Sequence, residues 1–161
     1  MKKIAIIMGS DSDLPVVRKA ADVLEAFGAE YEMHIFSAHR TPEAVRAFTE
    51  SARSKGFGVI IAAAGMAAHL AGAVAAGTTL PVIGIPITSG HLGGMDALLS
   101  TVQMPSGIPV ATVAIDGAKN AAVLALEILS LEDAALAQKL QDFRDEGKAG
   151  VLEKDRALNN K

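Results

Sequence analysis

Lys3-Ile-Ala-Ile-Ile-Met-Gly-Ser-Asp-Ser-Asp13 opens the chain and decides how the rest is read. Lys3 to Met8 is an apolar run without alternation, the pattern of a strand covered on both faces. It stops at Gly9. After a short polar turn, Val17, Ala20, Leu24 and Phe27 recur at helical spacing between Asp13 and Phe27. Ser12 or Asp13 can cap that helix, Pro15 suits its first turn and Gly28 ends it. Buried strand, glycine turn and helix form the opening unit of an α/β fold.

The unit repeats along the chain. Glu32 to Phe36 reads as a second strand, and Pro42 to Lys55 as a helix with Val45, Phe48 and Ala52 inward and Thr41 as its cap. Val59 to Ala64 is a third strand, Ala67 to Ala76 a short Ala-rich helix, Pro81 to Ile85 a fourth strand, Gly94 to Thr101 a helix and Pro109 to Ile115 a fifth strand. Ala118 to Leu129 and Asp133 to Arg144 close the pattern as helices. Past Glu146 it weakens into a polar tail, 147–161, helical for a few turns before it frays. Strands alternating with helices predict a three-layer, doubly wound, flavodoxin-like architecture: a five-stranded parallel sheet, helices on both faces and a C-terminal helix, all in one domain spanning 1–161.

Charge is distributed unevenly. The chain carries 15 Lys and Arg against 18 Asp and Glu, yet between Gly56 and Ile115 only Asp96 is charged. A membrane span would explain such a stretch, but Gly65, Gly72, Gly77, Pro81, Pro86 and Gly90 cut it into strand-length and short-helix pieces, so buried parallel strands fit better. The slightly acidic balance, without blocks of like charge, argues against a polynucleotide partner. The absence of cysteine excludes disulfides and thiolate chemistry and makes a reducing, cytoplasmic setting the default.

In folds of this kind ligands sit beyond the carboxyl ends of the strands, near the point where strand order reverses. Gly9 to Asp13 offers hydroxyls and backbone N–H groups at a helix start, suited to a phosphate or polyol but equally to an ordinary turn and cap. It matches neither a dinucleotide fingerprint nor a P-loop. Ser37-Ala-His-Arg-Thr-Pro42 sets an imidazole beside a guanidinium at a strand end: a proton shuttle and an anion fork, or a loop histidine and a surface charge. Ala64-Gly-Met-Ala-Ala-His69 brings small residues to the next strand end, with His69 expected to be a hydrogen-bonded core histidine and His34 a structural one. His91 is a loop residue or a lid contact. No histidine pair has metal-ligand spacing with a nearby carboxylate, so no metal is expected.

Met8-Gly-Ser-Asp-Ser-Asp13, Ser37-Ala-His-Arg-Thr-Pro42, Ala67-Ala-His-Leu70 and Leu98-Leu-Ser-Thr-Val-Gln-Met-Pro-Ser-Gly-Ile-Pro109 resemble, in order and spacing, the PurE family, the catalytic subunit of phosphoribosylaminoimidazole carboxylase. The likeness spans about residues 3 to 145, and the motifs look like those of its bacterial, mutase branch; the branch that carboxylates directly with CO2 usually departs at these places. The resemblance implies transfer of a carboxylate from N5 of a carboxyaminoimidazole ribonucleotide to C4 by decarboxylation and recarboxylation, with no metal, ATP or organic cofactor. It implies His39 as proton carrier and Arg40, Ser10 and Ser12 on the 5'-phosphate. Asp13 would take the ribose, with Ser37 and His69 also touching substrate, and Ala64, Gly65 and the Ser89 to Leu92 loop would cover the imidazole. It further implies a homo-octamer, with part of the uncharged stretch as interface, and a functional link to the ATP-dependent synthase that makes the N5 compound. Met66 stands where family members commonly carry glycine, which predicts a differently placed backbone at the pocket wall, and Gly90-His91 replaces other small or basic residues.

On fold grounds alone two rivals remain. A receiver-type signalling domain needs an Asp at the end of the third strand, where this chain has Ala64-Gly65. A flavin-binding electron carrier wants aromatic flanking, and the chain has one Tyr and no Trp.

Overall fold

In the computed structural model, which describes residues 1–160, β1 (Lys3–Met8) lies inside a sheet of order β2-β1-β3-β4-β5, every neighbouring pair parallel. The other strands are β2 (Tyr31–Ile35), β3 (Phe57–Gly65), β4 (Val82–Ile87) and β5 (Ala111–Thr112). The apolar run of β1 is explained by its two coverings. Ile4, Ile6 and Met8 face a layer that includes Val17, Leu24, Ala121, Ala125, Leu126 and Leu136, whereas Ala5 and Ile7 face Phe48, Leu70 and Val74. Helices α1 (Leu14–Phe27), α5 (Ala118–Ser130) and α6 (Ala134–Asn159) build the first layer, and α2 (Pro42–Ala52) and α3 (Leu70–Ala76) the second. Helix α4 (Met95–Val102) packs on β4, its Thr101 hydroxyl buried and returned to the Ala97 carbonyl at 2.7 Å.

Local chemistry sets the element ends. A 3-10 turn, Asp11–Asp13, precedes α1, and Gly28 ends it in the left-handed region at φ 70°, where a glycine carries no Cβ penalty. Thr41 occupies the cap position of α2 without capping it; its hydroxyl accepts instead from the Ser37 N–H at 2.9 Å. Helix α3 begins at Leu70, three residues later than the sequence pattern suggests, which leaves His69 outside the helix.

Two elements differ in extent from expectation. The fifth strand is two residues rather than seven: Pro109 has no N–H to give to a ladder, and at Asp116 the chain turns away with φ 56°. Helix α6 runs 26 residues through the segment expected to fray. Its exposed side is tied by side-chain pairs one turn apart, Gln138 to Asp142 at 2.8 Å and Gln141 to Asp145 at 3.1 Å, and Asn159 returns to the Asp155 carbonyl at 3.0 Å. No helix among the described residues is long and apolar enough to cross a membrane.

The sheet order places the site. Strand order reverses between β1 and β3, so the loops leaving those strands diverge and open a crevice. Met8 pairs with Ile35 on one side and Ala63 on the other, and Gly65 with Ile87, which gathers the loops after β1, β2, β3 and β4 at one end of the sheet.

Candidate active site

A cavity of about 570 Å³ occupies that crevice, lined by residues of four loops: Gly9 to Asp13, Ser37 to Arg40, Ala64 to Leu70, and Ser89. A larger hollow of about 870 Å³ lies near the start of β4, but its only charged residues, Arg53 and Glu50, already engage Thr79 at 2.9 Å and Arg46 at 2.8 Å. The unengaged chemistry lies at the carboxyl ends of the strands.

The first loop is a capping box. Ser10 Oγ accepts the Ser12 N–H at 3.3 Å, and Asp13 Oδ2 accepts the Ser10 N–H at 3.2 Å. The Ser10 and Ser12 hydroxyls lie 2.9 Å apart and remain exposed, whereas Asp13 is buried. Burial pushes the Asp13 carboxyl above its ordinary value, opposed by the Ser10 N–H and the Ser12 hydroxyl.

The second loop is folded on itself. Ser37 Oγ accepts the Arg40 N–H at 3.1 Å and the Ser37 carbonyl accepts the Thr41 N–H at 2.9 Å. This tight turn aims the exposed Arg40 back across β1, its guanidinium 3.4 Å from the Gly9 carbonyl oxygen. A cation therefore sits beside the two serine hydroxyls, an arrangement suited to an anionic group.

His39 and His69 meet across the cavity, Nε2 of the first 2.8 Å from Nδ1 of the second, with the rings nearly perpendicular at 82°. One hydrogen is shared along that line, and His39 Nδ1 and His69 Nε2 remain for other partners. The expectation of a core position for His69 is thus corrected. Because α3 starts after it, the ring projects to the exposed rim instead of into the second layer.

The third loop approaches the fourth closely. A Cβ on Gly65 would overlap the Ser89 hydroxyl, so a larger residue there would push the Ser89 side chain out of its place. Ser89 Oγ accepts the Met66 N–H at 3.0 Å. Met66 takes φ 55°, a left-handed conformation that glycine adopts readily and other side chains seldom do.

Of the residues singled out by sequence, Ser10, Ser12, Asp13, Ser37, His39, Arg40, Ala64, Gly65, His69 and Ser89 line this one cavity. Leu92 and His91 do not; both are exposed on the loop beyond it. His34 is elsewhere, stacked on Phe36 at 5.1 Å between ring centroids and packed against Phe48. Met66 also lines the cavity. Among the described residues no three His, Asp or Glu side chains gather closely enough to hold a metal ion.

Fold and site together define a class: a doubly wound α/β protein whose switch-point cavity offers a cation and hydroxyls to a small anionic ligand and a histidine pair to a mobile proton. The sequence model of the AIR carboxylase family matches residues 3–149, and the chain belongs to that family. It is 60% identical to the N5-carboxyaminoimidazole ribonucleotide mutase of Pyrococcus abyssi, over 92% of this chain and 85% of that one. With the mutase of the same name from Thermotoga maritima it shares 52% identity over 98% of this chain and 92% of that one. The crystal structure of Treponema denticola PurE superposes with a TM-score of 0.90 at 33% identity, covering 98% of this chain and 99% of that one.

Proposed function

We propose that this chain is an N5-carboxyaminoimidazole ribonucleotide mutase of purine biosynthesis, moving the carboxylate from N5 to C4 of the aminoimidazole without ATP, metal or organic cofactor. The mutase reading is supported by the relatives of that name, and the observation that carries its chemistry is the His39–His69 pair facing the cavity beside Arg40.

The reaction divides into two half-steps. When the N5–carboxyl bond breaks, CO2 leaves and the bonding electron pair stays on N5, which takes a proton from His39. The electron-rich C4 then attacks the CO2 carbon, a new carbon–carbon bond forms, and the C4 proton returns to His39. The proton count closes, so one imidazole suffices as acid and then base, and His69 holds its ring in place. Arg40, Ser10 and Ser12 bind the 5'-phosphate, Ser37 shapes the turn that aims Arg40, and Asp13 accepts from ribose hydroxyls. Ala64 and Gly65 form the wall against the imidazole, and Ser89 fixes that wall.

The active form is a homo-oligomer, an octamer by resemblance to the family. Met95, Leu99 and Val102 lie on one face of α4, with Leu92 one turn earlier, and all four are between 45% and 65% exposed. They fall within the stretch whose only charge is Asp96, so this face suits a second copy of the same uncharged surface better than a polar partner. The enzyme works in the cytoplasm, downstream of the ATP-dependent synthase that supplies its substrate.

The deciding experiment gives purified protein each candidate substrate. Conversion of the N5 compound to the C4 carboxylate without ATP is expected; a requirement for aminoimidazole ribonucleotide plus bicarbonate, with the N5 compound ignored, would assign direct carboxylation instead.

A further inference from the structure

Among the described residues, two other than glycine hold a left-handed backbone, Asp116 and Met66. Asp116 gains from it: aspartate tolerates this region, and its Oδ1 accepts the Thr88 N–H at 2.9 Å. Met66 has no such compensation, because a thioether forms no comparable bond and glycine would adopt the same φ without strain. The strain is held from outside, by Ser89 Oγ on the Met66 N–H and by the close packing of Gly65 against Ser89.

That conformation decides where the side chain goes. Met66 lines the cavity yet is 60% exposed, so it stands at the mouth. Across from it, a Cβ on Gly90 would lie 3.8 Å from Met66 Cγ, which puts the methionine against the loop between β4 and α4. The remaining apolar lining is small or deeply buried: Ala38, Ala64, Ala67, and Leu70 at 2% exposure. Among the described residues that line the cavity, Met66 is the one large, exposed apolar side chain, and an unbranched thioether adapts its shape to whatever lies beneath it.

We propose that Met66 is the cap of the catalytic cavity: with nucleotide bound, its side chain folds over the wall formed by Ala64 and Gly65 and retains CO2 between release from N5 and capture by C4. This rests on the mutase reading above. CO2 carries no charge for Arg40 or the hydroxyls to hold, so its retention depends on an apolar cover that excludes water. Met66 acts by closing the cavity, not by touching a transferred proton.

The test measures leakage rather than rate. Full-length protein turns over the N5 compound in buffer containing isotopically labelled bicarbonate and carbonic anhydrase, and the label entering the C4 carboxylate in one turnover is compared with total product. Wild type should incorporate little label. Met66→Gly, which relieves the backbone strain and should melt no lower than wild type, is expected to raise incorporation at least threefold; Met66→Ala should do the same, and Met66→Leu should stay near wild type. Equal incorporation in all four proteins would overturn the cap, as would complete exchange in wild type or leakage through the leucine variant equal to that of the glycine variant. Failure of wild type to convert the N5 compound would instead overturn the mutase reading.

Discussion

His69→Ala is the perturbation that separates a paired histidine from a solitary one. His69 is exposed and precedes α3 without capping it, so its removal should leave stability within about 0.5 kcal/mol of wild type. What it removes is the 2.8 Å contact to His39. If that bond only orients a neutral ring, it contributes about 0.5–1.5 kcal/mol, a loss of roughly 2- to 13-fold in kcat/KM. If it stabilises His39 while the ring carries the extra proton, the bond is charge-assisted and contributes about 1.5–3 kcal/mol, a loss of roughly 13- to 160-fold.

The scale for comparison is His39→Asn, which removes the proton carrier itself and should cost about 100- to 10,000-fold. Because His69 is assigned to act through His39, the double variant should be no slower than His39→Asn alone. The assay is steady-state kcat/KM on the N5 compound for wild type, both single variants and the double variant, with melting temperatures measured alongside. Wild-type kinetics in His69→Ala would refute the pairing. Fully additive losses would refute the claim that His69 works through His39 and would give it a separate contact with substrate.

Arg40→Ala should raise KM about 10- to 100-fold, as expected for loss of a charge-assisted contact to phosphate, with kcat falling no more than KM rises; an unchanged KM would remove Arg40 from the phosphate site. Burial raises the Asp13 carboxyl above its ordinary value, so the native state holds that proton more tightly than the unfolded chain, and ionised Asp13 costs stability at neutral pH. Asp13→Asn should therefore denature at higher urea than wild type at pH 7, with the gap narrowing as pH falls toward about 4; a gap independent of pH would refute this. Leu99→Asp on the exposed face of α4 should weaken each subunit contact by about 2 kcal/mol or more, roughly 30-fold, and lower the mass seen by light scattering, whereas an unchanged assembly would clear α4 of that role.

The layers of the fold were legible because burial on both faces writes itself into β1 and β3 as unbroken apolar runs, and because glycine and proline mark the turns. Length was less legible where it depends on neighbours. Val113 donates to the Gly84 carbonyl at 3.1 Å, yet the ladder around β5 stays short because Pro109 on one side and the turn at Asp116 on the other confine it. The end of α6 is dominated by charged and amide side chains and so looks like a tail, but such side chains one turn apart support a solvated helix even though Val151, Leu152 and Leu158 stand exposed among them.

At the site, the sequence pointed to the right loops because topology alone nominates the strand ends. It misplaced His69, since an apolar Ala-rich neighbourhood suggests a helix interior and the three-residue shift in the start of α3 is below what periodicity resolves. The Ser89–Met66 bond was not legible at all: 23 positions separate the partners, and only the parallel pairing of β3 with β4 brings them together.

The uncharged stretch from Gly56 to Ile115 has two separate causes. Within it β3 and β4 are buried almost throughout, and a single domain accounts for their composition. That explanation stops at Ile87. Leu92, Met95, Leu99 and Val102 are exposed, and nothing within the chain requires them to be apolar. Met66 is exposed too, but it faces the cavity and the 88–94 loop, so it belongs to the chemistry rather than to the α4 face. The loop from Thr88 to Gly94 joins the two regions, since it carries Ser89 at one end and leads into α4 at the other. Fixing α4 against a second copy would also fix the loop that holds Met66 in its strained conformation, which gives assembly a direct bearing on how tightly the cavity closes.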